Sequence, residues 1–252
     1  MVRTPVIPVI EVDLGPGIRA FFTTRAGGLS SPPRDALNLG LNVADDEEVV
    51  LANRARVDVE AGAVVSFLTQ VHGDHVQVIG GPPERAHRSR GTADAMVTTA
   101  AKVPLGVLVA DCVPVLLADP GHRAVAVVHA GRAGLAAGIV SGTLRAMEES
   151  GARRGSIRAA VGPAVCGSCY EVPQDLQDEV SALVPAARGT TSWGTPSLDL
   201  PGAVAYELRS AGVAAVVELG ICTRTDERFF SHRRATSEGS VTGRFAGVAM
   251  LV

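Results

Sequence analysis

The sequence predicts an α+β protein, with mixed β-sheets and helices packed outside them, in one compact domain spanning residues 1–252. Three observations lead there. Short Val-, Ile-, Leu- and Phe-rich segments separated by turn residues recur along the chain and read as strands. Helical stripes are fewer and do not alternate regularly with the strands, which argues against a doubly wound sheet. Hydrophobic residues make up 46% of the chain but aromatics only 4%, so the core is expected to be Val, Ala and Leu, with small side chains that let backbones approach closely.

The first strand is expected over residues 19–24 and a helix over 46–59. Strands follow at 64–71 and 75–79, and the Pro/Gly/Arg-rich stretch 80–91 reads as an exposed loop. After a strand at 93–98, the apolar run 106–118 is either two strands or one bent strand, because Asp111-Cys112 interrupts it and Pro114 disrupts a central ladder. A strand at 124–129 leads into a helix with the apolar stripe Ala136, Val140, Leu144 and Met147, and Gly151 is its stop. No stretch is long enough to be a linker; the best-placed boundary, 151–156, is short. A strand at 157–161 precedes a second stripe, Leu176, Val180, Leu183 and Val184, behind Pro173 at a first-turn position. A helix at 201–211 and strands at 214–219 and 246–252 complete the reading, with no internal repeat.

A formal charge of −3 offers no bulk attraction to nucleic acid or an anionic membrane. Asp111 breaks the longest apolar run well short of the ~20 residues of a membrane helix. The N-terminal stretch, with Pro5, Pro8, Glu11 and Asp13, lacks a signal-peptide core, which places the protein in the cytoplasm. The four cysteines, 112, 166, 169 and 222, are not needed as staples in a chain of this size. Nothing in the sequence sets an oligomeric state.

Chemistry is expected around Cys112, an acid-flanked thiol in an apolar run, with His72 before it and His129 after it. Two imidazoles and a thiolate converging from three segments leave one position open on a tetrahedral zinc, the arrangement of catalytic sites. The plain alternative is a small buried thiol and two structural histidines. On an extended strand Asp111 and Cys112 point to opposite faces, so both line one pocket only if a bend intervenes. Asp111 then either orients a ligating histidine or caps backbone amides. His75 is a further ligand candidate, whereas His87 and His122 read as solvent-exposed. The turn His129-Ala-Gly-Arg-Ala-Gly134 lets backbone N–H groups approach an anion, unless Gly131 and Gly134 merely satisfy a tight turn. His232 beside Arg233 and Arg234 either neutralises a phosphate or belongs to a solvated basic turn. Cys166-Gly-Ser-Cys169 has redox or metal spacing, but a structural zinc needs another ligand pair and none is evident in sequence.

Taken together, the segments Thr23-Thr-Arg-Ala-Gly-Gly28, Ala36-Leu-Asn-Leu-Gly40, Asp45-Asp46 with Asn53-Arg54, Gln70-Val-His-Gly73, Ala93-Asp-Ala-Met-Val-Thr98, Ala110-Asp-Cys-Val-Pro-Val115, Val128-His-Ala-Gly131, Val161-Gly-Pro163 with Cys169-Tyr-Glu-Val172, Phe229-Phe-Ser-His-Arg-Arg234 and Thr242-Gly-Arg-Phe-Ala-Gly247 resemble the polyphenol-oxidase/laccase-domain family. Its bacterial members are also described as peptidoglycan editing factors and purine nucleoside phosphorylases. The matches run in order along nearly the whole chain. The resemblance implies a metal, Zn2+, on His72, Cys112 and His129. It also implies phosphorolysis of adenosine, inosine and methylthioadenosine, with some adenosine deamination. Cys112, His129 and Asp111 are then the expected catalytic groups, and Arg25, Asn38, Arg54 and Gly131 the expected contacts to purine nucleoside and phosphate. The chain departs from the family at Arg132-Ala133, where Trp-Arg is usual, which moves any substrate-holding role onto Arg132. Six histidines are too few and too scattered for a multi-copper oxygen-reducing cluster beside a blue-copper set, so any Cu2+ is expected to be adventitious.

Two other readings use the same residues. One is a cysteine hydrolase or amidase acting on cell-wall precursors, with Cys112 as nucleophile and His129 as base. The other is a metal-dependent protein that binds nucleotide-sugar intermediates without catalysis.

Overall fold

Two sheets packed face to face form the centre of the molecule, which is seen here as a computed structural model describing residues 7–252. Pro5, part of the stretch read as lacking a signal core, lies outside the described residues. In chain order the elements begin with β1 (Val9–Glu11), β2 (Ile18–Thr23), α1 (Glu47–Ala61), β3 (Phe67–Thr69), β4 (Val76–Val78), β5 (Ser89–Thr92) and β6 (Ala95–Thr98). Next come β7 (Leu105–Val109), β8 (Val113–Asp119), β9 (Ala124–Ala130), α2 (Arg132–Ala136), α3 (Ile139–Glu149) and β10 (Arg158–Val161). The last are α4 (Gln174–Leu183), β11 (Arg188–Thr190), β12 (Pro196–Leu198), α5 (Leu200–Ser210), β13 (Ala215–Glu218), α6 (His232–Ser237) and β14 (Phe245–Leu251).

The smaller sheet runs β1-β2-β14-β7 and the larger β13-β10-β8-β9-β6-β4. Period-two alternation sends neighbouring side chains to opposite faces, and Phe21 and Phe22 show the result. Phe22 enters the core between the sheets with Leu105, Val107, Leu116, Val125 and Val127. Phe21 faces outward onto Val57 and Ala61 of α1. On the far side of the larger sheet, Val113, Val115, Val128 and Val161 pack against Leu144 of α3, Val180 of α4 and Val204 of α5. Helices therefore lie outside the paired sheets, as an α+β fold requires, and β2 near the start of the chain pairs with β14 at its end.

Where expectation and structure differ, the cause is local. The run 106–118 is two strands in two different sheets, and the chain crosses between them at Ala110–Cys112, where Asp111 takes a left-handed φ of 90°. The strand expected over 64–71 shortens to β3. Gln70 instead pairs its amide with both backbone groups of Leu108 (2.8 Å each). The N–H groups of the next three residues turn to a buried carboxylate, Asp94. The helix expected to begin at the 129–134 turn is two, α2 and α3, parted at Gly138 (φ 89°). Residues 151–156 are no boundary, because β10 directly after them hydrogen-bonds along β8. The short β1, β5, β11, β12 and α6 carry no periodic signal. No helix among the described residues is long and apolar enough to cross a membrane.

Candidate active site

Register brings the first two groups together. On β9, Val125 and Val127 face the smaller sheet, so His129 two residues on points to that side at the strand's end. On β8, Leu116 faces the same way and Pro114 pairs with His129. Cys112, just before the strand begins, lands on that face beside it. His72 arrives from the loop between β3 and β4 with φ 60°, and its ring meets His129 edge-on at 4.7 Å. One ligand atom each of His72, Cys112 and His129 lie within 4.8 Å of one another.

The residue that arranges them is one that sequence reasoning missed. Asp94, fully buried just ahead of β6, accepts from His129 Nδ1 (2.8 Å) and from the backbone N–H of His72 (2.9 Å) through Oδ1. Its Oδ2 accepts from Gly73 (2.8 Å) and Val71 (3.2 Å). One carboxylate thus sets the orientation of one imidazole and the loop that carries the other. The signal was present in the Ala93-Asp-Ala-Met-Val-Thr98 motif, an acid leading a fully apolar strand.

Burial works against charge on His129, yet its hydrogen bonds to Asp94 and Cys112, which accept from the imidazole, hold its pKa at about 9. Burial likewise works against the Cys112 thiolate, but His129 and His72 outweigh it and bring the thiol down to about 6. Burial opposes ionisation of Asp94 too, and its hydrogen bonds to His129 and Gly73 keep it below the usual carboxylate range. The donor set fits a zinc ion: a thiolate already favoured, an imidazole whose other nitrogen is engaged by a carboxylate, and a second imidazole beside both. Gly131 is part of that fit, since a Cβ there would stand 2.8 Å from His72 Cδ2 and 3.3 Å from Cys112 Sγ. Gly134 is needed for a different contact, because its Cβ would meet the Gly73 carbonyl oxygen at 2.6 Å. The two glycines serve the approach of the His72 loop.

The trio lies in the wall of a cavity of about 590 Å3, into which Arg54, Arg132, Arg233 and Arg244 also extend, with Tyr170 and His232. Arg54 belongs to the buried face of α1, donates to the carbonyls of Leu39 (2.9 Å) and His87 (2.6 Å), and lies 4.7 Å over the Phe67 ring. Burial lowers it to about 10. Arg244, also lowered by burial, donates to the Gly243 carbonyl. Arg233 stacks 4.9 Å over Tyr170. Among the described residues none of these four guanidiniums has a carboxylate within ion-pair distance.

Other expected contacts fall elsewhere. Arg25 is outside the cavity wall, with its guanidinium on the Asp35 carbonyl (2.7 Å) and carboxylate (3.0 Å). Asn38 is fully buried and outside it too; its side chain bonds Gly40, Asp45 and the Arg244 N–H, so it shapes the loop that positions Arg244. Asp111 does line the cavity with Cys112, the bend at Asp111 making this geometrically allowed. Its oxygens accept from the Thr223 hydroxyl (2.6 Å) and the Arg233 N–H (2.6 Å), so it caps a backbone amide and leaves the histidine to Asp94. His122 is exposed and pairs with Asp119 (2.8 Å), whereas His87 is half-buried and pairs with Asp58 (2.5 Å). Arg234 donates to four backbone carbonyls, whereas Arg233 reaches the cavity.

Residues 19–252 match the family model described as multi-copper polyphenol oxidoreductase laccase. The chain belongs to this family. It is 46% identical over 233 residues to a purine nucleoside phosphorylase of Streptomyces coelicolor, covering 91% of this chain and 94% of that one. It is 44% identical over 237 residues to a purine nucleoside phosphorylase of Mycobacterium tuberculosis, covering 93% and 92%. The crystal structure of a Neisseria meningitidis protein superposes with a TM-score of 0.84 at 32% identity, over 98% of this chain and 99% of that one. YlmD of Geobacillus stearothermophilus also gives 0.84, at 29% identity over 97% and 99%. Arg132 and Ala133 both line the cavity.

Proposed function

We propose that the protein is a purine nucleoside phosphorylase acting on adenosine, inosine and methylthioadenosine, with Zn2+ held by His72, Cys112 and His129. The observation that carries this reading is one cavity in which that trio meets four guanidiniums lacking carboxylate partners. Its volume, about 590 Å3, is in the range of small-molecule sites. The phosphorylase names of relatives at 44–46% identity support the reaction class.

Buried guanidiniums held only by carbonyls favour an anion, because each retains charge that burial penalises. Arg54 and Arg244, joined by Arg132 and Arg233, are assigned to phosphate, which accepts charge-assisted and bidentate bonds from such groups. Phosphorolysis forms a bond from a phosphate oxygen to the anomeric carbon as the glycosidic C–N bond breaks, its electron pair leaving with the purine, which is protonated. Stripped of water and held beside the ribose, the phosphate anion also opposes the positive charge that develops on the sugar. Tyr170, stacked under Arg233, offers an aromatic wall for a purine. Asp111 anchors the start of α6, so that His232 and Arg233 face the cavity. When bound, zinc at the trio supplies a Lewis acid and a water acidified toward neutrality, the chemistry adenosine deamination requires. The histidine ligands gather in a single group among the described residues, which does not suit a multi-copper oxidase.

Product chromatography on adenosine, with and without inorganic phosphate, tests the reading. Ribose 1-phosphate and adenine are expected only with phosphate; ribose in both arms would overturn it. The thiolate–imidazolium pairing of Cys112 and His129 also suits a cysteine hydrolase. Activity that survives chelation but ends on thiol alkylation would favour that second reading.

A further inference from the structure

A second group of metal-capable side chains lies outside the cavity: the sulfurs of Cys166, Cys169 and Cys222 are within 4.8 Å of one another. The fold converges them from two segments. A turn closes when the N–H groups of Cys169 and Tyr170 both donate to the Cys166 carbonyl (2.9 and 3.0 Å), which sets Cys166 and Cys169 side by side. Cys222 comes from the segment after β13, bridged in parallel to Ala164. The Cys166 N–H approaches Cys222 Sγ at 3.5 Å, and all three thiols are partly exposed, so the site is open to an ion. The third ligand that the Cys-Gly-Ser-Cys spacing lacked in sequence is Cys222.

We propose that Cys166, Cys169 and Cys222 form a trithiolate site for a soft d10 metal ion, Zn2+ completed by water or Cu+ in trigonal coordination. Thiolate is the donor that selects these ions. Zn–S bonds of about 2.3 Å place sulfurs roughly 3.8 Å apart, so the cluster needs to contract by no more than about 1 Å. Arg224 donates to the Cys169 carbonyl (3.1 Å) while stacked 5.1 Å from Trp193, and its guanidinium offsets the excess negative charge of three thiolates on one ion. Coordination replaces the three S–H protons, which pass to solvent.

The site staples the two segments that wall the cavity behind Asp111. The Val165 N–H donates to the Asp111 carbonyl (3.0 Å), and Thr223, next to Cys222, donates to its carboxylate (2.6 Å). Tyr170, adjoining Cys169, lines the cavity itself. The ion thus joins two cavity-walling segments at a site separate from the trio.

The chain has four cysteines, so full-length Cys112→Ser leaves only this cluster as thiols and removes the thiolate of the other site. Reduced, oxygen-free protein is titrated with a thiol reagent, with and without one equivalent of Zn2+ or Cu+. Three reactive thiols without metal and joint protection of all three with it are expected. Adding Cys222→Ser should weaken ion binding by more than the 10- to 100-fold that a lost outer partner costs. Protection by both ions with Zn2+ retaining an exchangeable water, or by Cu+ alone, identifies the occupant. Equal reactivity with and without metal, or a Cys166–Cys169 disulfide as the only cause of protection, overturns the proposal. Differential alkylation of the unsubstituted chain, read by peptide mass spectrometry, separates the same outcomes if the variant folds poorly. Loss of nucleoside cleavage in Cys112→Ser bears on the trio alone.

Discussion

Asp94 shows how one side chain decides the behaviour of several others. Its two oxygens take four donors, so Asp94→Asn replaces an acceptor with an amide that repels N–H groups at one of its two sites. Zinc affinity at the trio is expected to fall by about 10- to 100-fold, the cost of losing such an outer partner, as measured by competition with a chromophoric chelator. Metal-free Cys112 should alkylate with a midpoint near pH 6, since the lowered pKa leaves thiolate above that value. His129→Ala should move the midpoint upward by removing the largest favourable partner, and site-resolved mass spectrometry distinguishes this thiol from the others. Arg244→Met is expected to raise the KM for phosphate by roughly 10- to 100-fold, the value of a hydrogen bond to a charged group, with a smaller effect on the KM for nucleoside. Equal changes in both constants would remove Arg244 from the phosphate site.

Elements set the distances within which such residues work. The break between β7 and β8 turns an interrupted apolar run into two strands of different sheets, and the site sits at that crossing because Asp111 adopts φ 90° there. The turn from β9 into α2 leaves no room for a methyl group at either glycine, but the consequences differ. Gly131→Ala meets the exposed ring of His72, which swings away, so metal retention should drop while urea stability changes by less than about 1 kcal/mol. Gly134→Ala meets the Gly73 carbonyl, which is backbone and cannot swing, and should cost about 1–3 kcal/mol. Paired urea melts and zinc titrations separate the two. A residue-level reading saw in both glycines either a tight turn or an anion contact; the loop that explains them lies far earlier in sequence, His72 standing 59 residues before Gly131 and Gly73 standing 61 before Gly134.

At the scale of the molecule, stability rests on the interface between the sheets, with Phe22 at its centre. It is fully buried, and Gly162 and Gly247 leave it space: a Cβ at either would come within 2.3 or 2.9 Å of its ring. Phe22→Ala should cost about 3–5 kcal/mol in denaturant unfolding, whereas Phe21→Leu on the α1 side retains most of the contact and should cost less than half as much. Space for this ring is made by one glycine on the adjacent strand, Gly247 of β14, and one from the facing sheet, Gly162 just after β10.

Apolar runs such as 124–129, buried on both faces of the larger sheet, and the helical stripe Val140, Leu144 and Met147 determined the α+β class, because burial leaves a continuous run in a central strand and a one-sided stripe in an outer helix. The same chain marked His72, Cys112 and His129, since a thiol beside an acid in an apolar run and the family motifs are local facts. Tertiary structure alone decided that Asp94 rather than Asp111 meets His129, that Arg54, Arg132, Arg233 and Arg244 reach one cavity while Arg25 turns to Asp35, and that Cys222 joins Cys166 and Cys169. Each of these is a choice of partner across a long stretch of chain, and a side chain's type states which bonds it can make without stating which donor or acceptor the fold will bring to it.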